Sequence, residues 1–216
     1  MDTSRILRYV TGWTTHNTPA WLQAHIDDYR QARADLEQLA ICLNSAIREF
    51  DPSILILQPK HMIPDILPDR PSLRIHIAPE GMKPIPVGYY LCIRPGDRSF
   101  LSGGLYSSIF RAAADMIRNR ILDDPLEWFS ILNAPDFQSR FTLLGKPLSN
   151  FPAEFDPKHP YAKYLQQNNW YVRYSIRDEL LLEPGAFEST AIEVFRAMSP
   201  FIQYLNRALN SFHLRT

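Results

Sequence analysis

Eighteen prolines against eight glycines in a 216-residue chain dictate where regular structure can and cannot form. Proline fixes φ and removes a backbone donor, which confines it to first helical turns, loops and sheet edges. Two stretches, residues 59–86 and 147–160, are crowded with prolines and predict loops and short edge strands rather than long helices. Neither is rich in glycine and serine, so neither reads as a flexible linker. With no internal repeat and no low-complexity tract, residues 1–216 read as a single domain. Its hydrophobic content of 45% and charged content of 21% suit a packed core rather than a disordered chain.

Between the proline-rich stretches, hydrophobic spacing assigns the elements. Thr18 and Pro19 form a helix start, and Trp21, Leu22, Ile26, Tyr29, Leu36, Leu39, Leu43 and Ile47 follow at helical spacing until Asp51-Pro52 ends the run. A helix of that length invites a kink. Residues 53–57 fit a strand or a last helical turn. Leu73–Ile77 alternates apolar and polar residues. Residues 87–93 and 99–106, joined by the turn Arg94-Pro95-Gly96-Asp97-Arg98, predict an antiparallel hairpin. A helix capped by Ser107 or Ser108 runs to Ile121, and another restarts at Pro125. Residues 141–144 predict a short strand, His159-Pro160 a short helix, and Trp170–Ile176 a strand. The last helix follows Pro184-Gly185, with an interruption at Pro200. This order gives an α+β class: a central antiparallel sheet, helices packed mainly on one face, and long N-terminal and C-terminal helices.

Lysine and arginine number 23, as do aspartate and glutamate, so the formal charge is zero. That removes the bulk electrostatic argument for nucleic acid or an anionic membrane, and neither partner is expected. No run approaches 18 apolar residues and the start shows no secretory signal, so the expected location is the cytoplasm. Cys42 and Cys92 lie in apolar runs and read as buried free thiols, too few for a disulfide framework. The six histidines show no metal-ligand spacing, and neither a phosphate-loop nor a nucleophile-elbow motif is present; no metal and no cofactor is expected.

One polar constellation suits an anion. Arg74 and His76, two apart, face the same side of a strand. Arg94 can join them from the neighbouring strand, with Asp69 and Arg70 at the entry. A guanidinium fork bonds two oxygens of a phosphate or carboxylate at once. The same alternation would arise from the solvated face of a one-sided sheet. Gly103 and Gly104 precede the helix start at Ser107, where free N–H groups suit an anion; tight packing would equally explain two glycines there. Arg111 and Arg118 share a helix face and fit either a groove or a solvated surface. Cys92 and His76 on adjacent strands could pair as thiol and imidazole, although the apolar neighbours of Cys92 point to inert burial. His159, Tyr161 and Lys163 form a polar cluster in a loop, where His159 fits a structural closure as well as a functional role. Trp170, Tyr171 and Tyr174 suit sheet packing better than base stacking.

Four segments together resemble the family termed domain of unknown function 2461, chiefly bacterial proteins of about this length. They are His16-Asn17-Thr18-Pro19-Ala20-Trp21-Leu22; Gly88-Tyr89-Tyr90-Leu91-Cys92-Ile93-Arg94-Pro95-Gly96 with Gly103-Gly104-Leu105-Tyr106; residues 148–152 with Phe155-Asp156-Pro157-Lys158-His159-Pro160; and Phe195-Arg196-Ala197-Met198-Ser199-Pro200-Phe201 with Leu205-Asn206. The family's polar run Arg-Asp-x-Arg-Phe is missing between Gln58 and Pro68. The stretch Asp69-Arg70-Pro71-Ser72-Leu73-Arg74 can be laid on the Asp-Lys-x-Pro-Tyr-Lys that follows that run, keeping its acid and two basic positions. The resemblance implies a fold more than an activity. Two functional readings follow. The first is a binding or interaction protein without catalysis. The second is an enzyme or sensor acting on a small anionic ligand held by Arg74, His76, Arg94 and the helix start after Gly104, with Arg70, Gly103, Ser107 and Arg111 as further candidates. Oligomeric state is left open.

Overall fold

The computed structural model describes residues 1–63, 71–79, 87–105 and 111–210. It opens on a helix that the hydrophobic spacing did not suggest, α1 (Thr3–His16). Asp2 caps it by accepting from Arg5 N, and Ile6, Leu7, Tyr9, Val10 and Trp13 are buried along one side. The predicted long helix is divided at His25 into α2 (Pro19–Ala24) and α3 (Ile26–Arg48). Thr18 caps α2 as expected. At the break His25 turns its Nδ1 to Trp21 O, while Asp27 and Asp28 supply the negative charge that favours a new helix N-terminus. Asp51, just past α3, is buried and accepts from Tyr89 Oη at 2.8 Å and from Ser53 Oγ at 2.6 Å. Residues 53–57 are neither strand nor helix, and α4 (Pro59–Met62) is one short turn.

The strands fall where alternation put them: β1 (Leu73–Ile77), β2 (Val87–Ile93) and β3 (Ser99–Leu105). Helices α5 (Arg111–Asp123), α6 (Pro125–Asn133), α7 (Pro135–Arg140) and α8 (Ala162–Leu165) lead to β4 (Trp170–Ile176). The start of the Ser107 helix lies outside the described residues. The expected strand at 141–144 is reduced to one bridge, with Leu144 N donating to Tyr171 O at 2.8 Å and Tyr171 N to Leu144 O at 3.1 Å. The sheet is a fully antiparallel meander in the order β1-β2-β3-β4.

A short turn, α9 (Asp178–Leu181), precedes α10 (Pro184–Ala208). Pro200 was expected to interrupt this helix and does not. It sits at an exposed position while Phe195, Met198, Phe201 and Ile202 around it are buried, and that packing outweighs one missing N–H. Helix α10 crosses β2 and β3, with α3 beside it and α1 packed on α3 and β2, so the helices gather mainly on one face of the sheet. Strand alternation sends Leu73, Ile75, Tyr89, Leu91, Leu101, Val172 and Ile176 into that core. The alternate residues form the opposite face.

Candidate functional site

The register assembles two rows of side chains on the face away from α10. One runs Arg74–Cys92–Phe100–Ser175 and the other His76–Tyr90–Ser102–Arg173. Within these rows Cys92, Ser102 and Ser175 are small and their neighbours are long. A cleft of about 650 Å³ opens here, its rim completed by Arg94, Asp97 and Arg98 of the β2–β3 turn. Four arginines and one aspartate line it, a local positive concentration on a chain of zero net charge.

Local bonds set the rim. Asp178 accepts from Gly96 N at 2.7 Å and Asp97 N at 3.2 Å, and Asp178 N donates to Asp97 Oδ1 at 2.8 Å. Gly96 and Asp97 take positive φ of 76° and 56°, the backbone bend that lets the turn reach Asp178. Ser99 Oγ closes the loop, receiving from Arg94 N at 2.9 Å and donating to Arg94 O at 2.8 Å. Arg98 Nε donates to Pro95 O at 3.0 Å, and Arg74 Nε to Ser72 Oγ at 2.9 Å. Arg173 lays its guanidinium over the Phe100 ring, 4.1 Å from the centroid.

Two groups of the cleft, His76 and Cys92, are pushed toward their neutral forms by burial. The His76 imidazole stacks on Tyr90, with centroids 4.1 Å apart and planes at 4°. Gly88 makes that position available, since a Cβ there would approach His76 Nε2 to 2.7 Å. Nε2 is buried and has no hydrogen-bond partner among the described residues. Burial lowers the His76 pKa to about 4. Burial also pushes the Cys92 thiol above its ordinary value, against the opposing pull of Arg94 and Arg74.

The family described as conserved hypothetical protein (DUF2461) matches over residues 5–204. The chain belongs to it. No curated protein and no solved structure matches. No described helix of this DUF2461 chain is long and apolar enough to cross a membrane.

Of the residues singled out in the sequence, the fold brings Arg74, His76 and Arg94 together in the DUF2461 chain's cleft. Arg70 and Ser107 lie outside the described residues. Gly103 is on the opposite side of the sheet, where a Cβ would collide with Ile202 and Met198 of α10. Gly104, at φ 121°, lies against the β4 backbone at Trp170 and Tyr171. The two glycines thus serve close packing. Arg111 lines a separate cleft of about 440 Å³ with Arg118, Asp115 and residues 148–154. There Arg118 is buried and structural: it donates to Leu165 O at 2.7 Å, Gln167 O at 2.6 Å and Asp115 Oδ1 at 2.5 Å. His159 closes its loop by accepting from Tyr161 N at 3.2 Å. Cys92 faces Ser72, Arg74 and Arg94, whereas His76 stacks on Tyr90, so thiol and imidazole do not form the pair considered. Cys42 is half-buried and donates to Glu188 at 2.8 Å. Arg98, Arg173, Tyr90 and Phe100 line the cleft without having been singled out for it. For Tyr90, Phe100 and Arg173 the signal was the outward phase of β2, β3 and β4, which takes effect only once the register is known, whereas Arg98 belongs to the turn between β2 and β3.

Proposed function

We propose that this DUF2461 protein binds a small anionic ligand, a carboxylate or a phosphate, in the cleft on the open face of its sheet. The supporting observation is the convergence of Arg74, Arg94, Arg98 and Arg173 on one concave surface. Guanidinium groups offer paired donors to planar or tetrahedral oxyanions. Arg74, Arg94 and Arg173 are half-buried, which strengthens their field relative to fully solvated charges, and Arg98 stands at the exposed rim. The bonded turn holds Arg94 and Arg98 before a ligand arrives, and preorganised donors lose less on binding.

The reading is of binding rather than proton transfer. An imidazole with a pKa of about 4 is a weak base near neutrality, and a thiol raised by burial is a poor nucleophile. Thermal-shift and calorimetric titration with phosphate, pyrophosphate, acetate and succinate test it. At least one anion is expected to raise the melting temperature. A ligand at a hundred times its Kd adds about 2.7 kcal/mol. Arg74→Gln and Arg94→Gln should each weaken that anion at least tenfold. A flat response to the whole panel would refute the proposal, and measurable turnover of a bound phosphate ester would shift it to the enzymatic reading.

A further inference from the structure

The charges of the cleft do not balance. Its arginines have one carboxylate beside them, that of Asp97, and Asp97 Oδ1 is already engaged by Asp178 N. Arg74, Arg94 and Arg98 form no ion pair among the described residues. The Arg94 guanidinium has no hydrogen-bond partner among them either; only its backbone bonds, to Ser99. Arg74 and Arg94 are half-buried, so each has given up water without gaining a counter-charge. The register brings these two together. Cys92 is the Cα partner of Arg74, and Arg94 follows two residues later, on the same face as Cys92. A strand spacing of about 4.8 Å and a rise of about 3.4 Å per residue set the Arg74 and Arg94 Cα atoms roughly 8 Å apart, within reach of two arginine side chains. The bond from Arg74 Nε to Ser72 Oγ turns that guanidinium toward the end of the sheet where Arg94 stands. Arg98 stands across the turn that Ser99 Oγ closes on Arg94. Three cations are thus rooted at three separate backbone positions around one space, and Arg173, over Phe100 on the far side, adds to their field. A carboxylate brings one negative charge and two oxygens in one plane. A phosphoryl group brings about two charges near neutrality and three oxygens spread around its axis.

We infer that the group held between Arg74, Arg94 and Arg98 is a phosphoryl dianion, free phosphate or a small phosphate monoester, rather than a carboxylate. This rests on the anion-binding reading and narrows it to one chemical class. The dianion matches the excess of three guanidinium groups over one carboxylate, and its oxygens meet forks that arrive from different strands.

Calorimetry with methyl phosphate, methyl sulfate and acetate tests it. The first two share a tetrahedral shape and differ by one charge. At pH 7 methyl phosphate is expected to bind about tenfold or more tightly than either of the others. From pH 7 to pH 5 its affinity should fall roughly tenfold as the second phosphate proton, with a pKa near 6, returns, while methyl sulfate stays level. His76, with its pKa of about 4, and the raised Cys92 thiol remain largely neutral over that range, so the change belongs to the ligand. Arg94→Gln should shrink the preference for methyl phosphate over methyl sulfate. Asp97→Asn keeps an oxygen for Asp178 N, suits the positive φ and should widen that preference. Inorganic phosphate run beside them separates the sources: tighter than methyl phosphate marks free phosphate, weaker marks an ester. Equal binding of methyl phosphate and methyl sulfate would overturn the dianion, and acetate binding as tightly as methyl phosphate would overturn the phosphoryl group; both results leave the anion site standing. Binding by none of the four would remove the anion site itself.

Discussion

His76 couples the folded state to pH through a simple imbalance. Its native pKa, about 4, is below the ordinary imidazole value of 6.5, so the unfolded chain takes up a proton that the native chain refuses. Above pH 6.5 neither state is protonated and nothing is lost. As pH falls through 6.5 stability declines, and the decline levels off below about 4. From pH 7 to pH 5 the loss attributable to this one group is about 2 kcal/mol. Urea unfolding at a series of pH values should show a steeper decline for the wild type than for His76→Gln, and parallel curves would contradict the burial of the imidazole. Residue by residue, the site was half legible. Arg74, His76 and Arg94 could be found because strand alternation and a hairpin are local patterns. Arg173 could not, since what brings it to Phe100 is the pairing of β3 with a strand about seventy residues further on. Arg118 shows the opposite failure. A charged helix residue reads as solvated, yet its partners Leu165 and Gln167 lie 47 and 49 residues away and bury it.

At the level of elements, the four strands of the sheet obeyed their patterns, the short strand expected at 141–144 came down to a single bridge, and helices departed from their patterns at the ends and at proline. Helix α1 escaped notice because its buried stripe is short and Gly12 interrupts the run of helix formers; its place is secured by tertiary bonds such as Thr3 Oγ1 to Leu181 O at 2.6 Å. The division of α2 from α3 at His25 has no proline or glycine to announce it. Helix α10 passes through Pro200 because its buried side chains on both sides of that residue are pinned to the sheet. A proline in a helix interior costs about 3 kcal/mol relative to alanine, part of which returns through a stiffer unfolded chain. Since Pro200 is exposed, Pro200→Ala removes no packing and restores one N–H. The expected outcome is a gain of about 1–2 kcal/mol in urea unfolding. A loss of stability would mean that the proline fixes a bend on which α10 depends for its fit against β2 and β3.

Across the whole molecule, the two faces of one sheet have separate duties. Helices seal the face that carries Leu101, Tyr89 and Val172, while the face with Arg74, Cys92 and Arg173 is left concave and charged. A four-stranded sheet covered on both sides by helices would have needed a second apolar phase in every strand; here the second phase mixes Arg74, His76, Ser102, Arg173 and Ser175 with Tyr90, Cys92 and Phe100. The division makes stability and binding separable by mutation. Leu101→Ala empties a fully buried position under α10 and should cost about 2–5 kcal/mol, with anion affinity at low temperature nearly unchanged. Arg94→Gln alters a half-buried rim residue that forms no ion pair among the described residues, so unfolding free energy should shift by less than about 1 kcal/mol while anion affinity falls at least tenfold. Chemical denaturation and calorimetry on the two variants give four numbers. If Arg94→Gln proved as destabilising as Leu101→Ala, the arginines would belong to the scaffold, and the open face would lose its claim to a ligand.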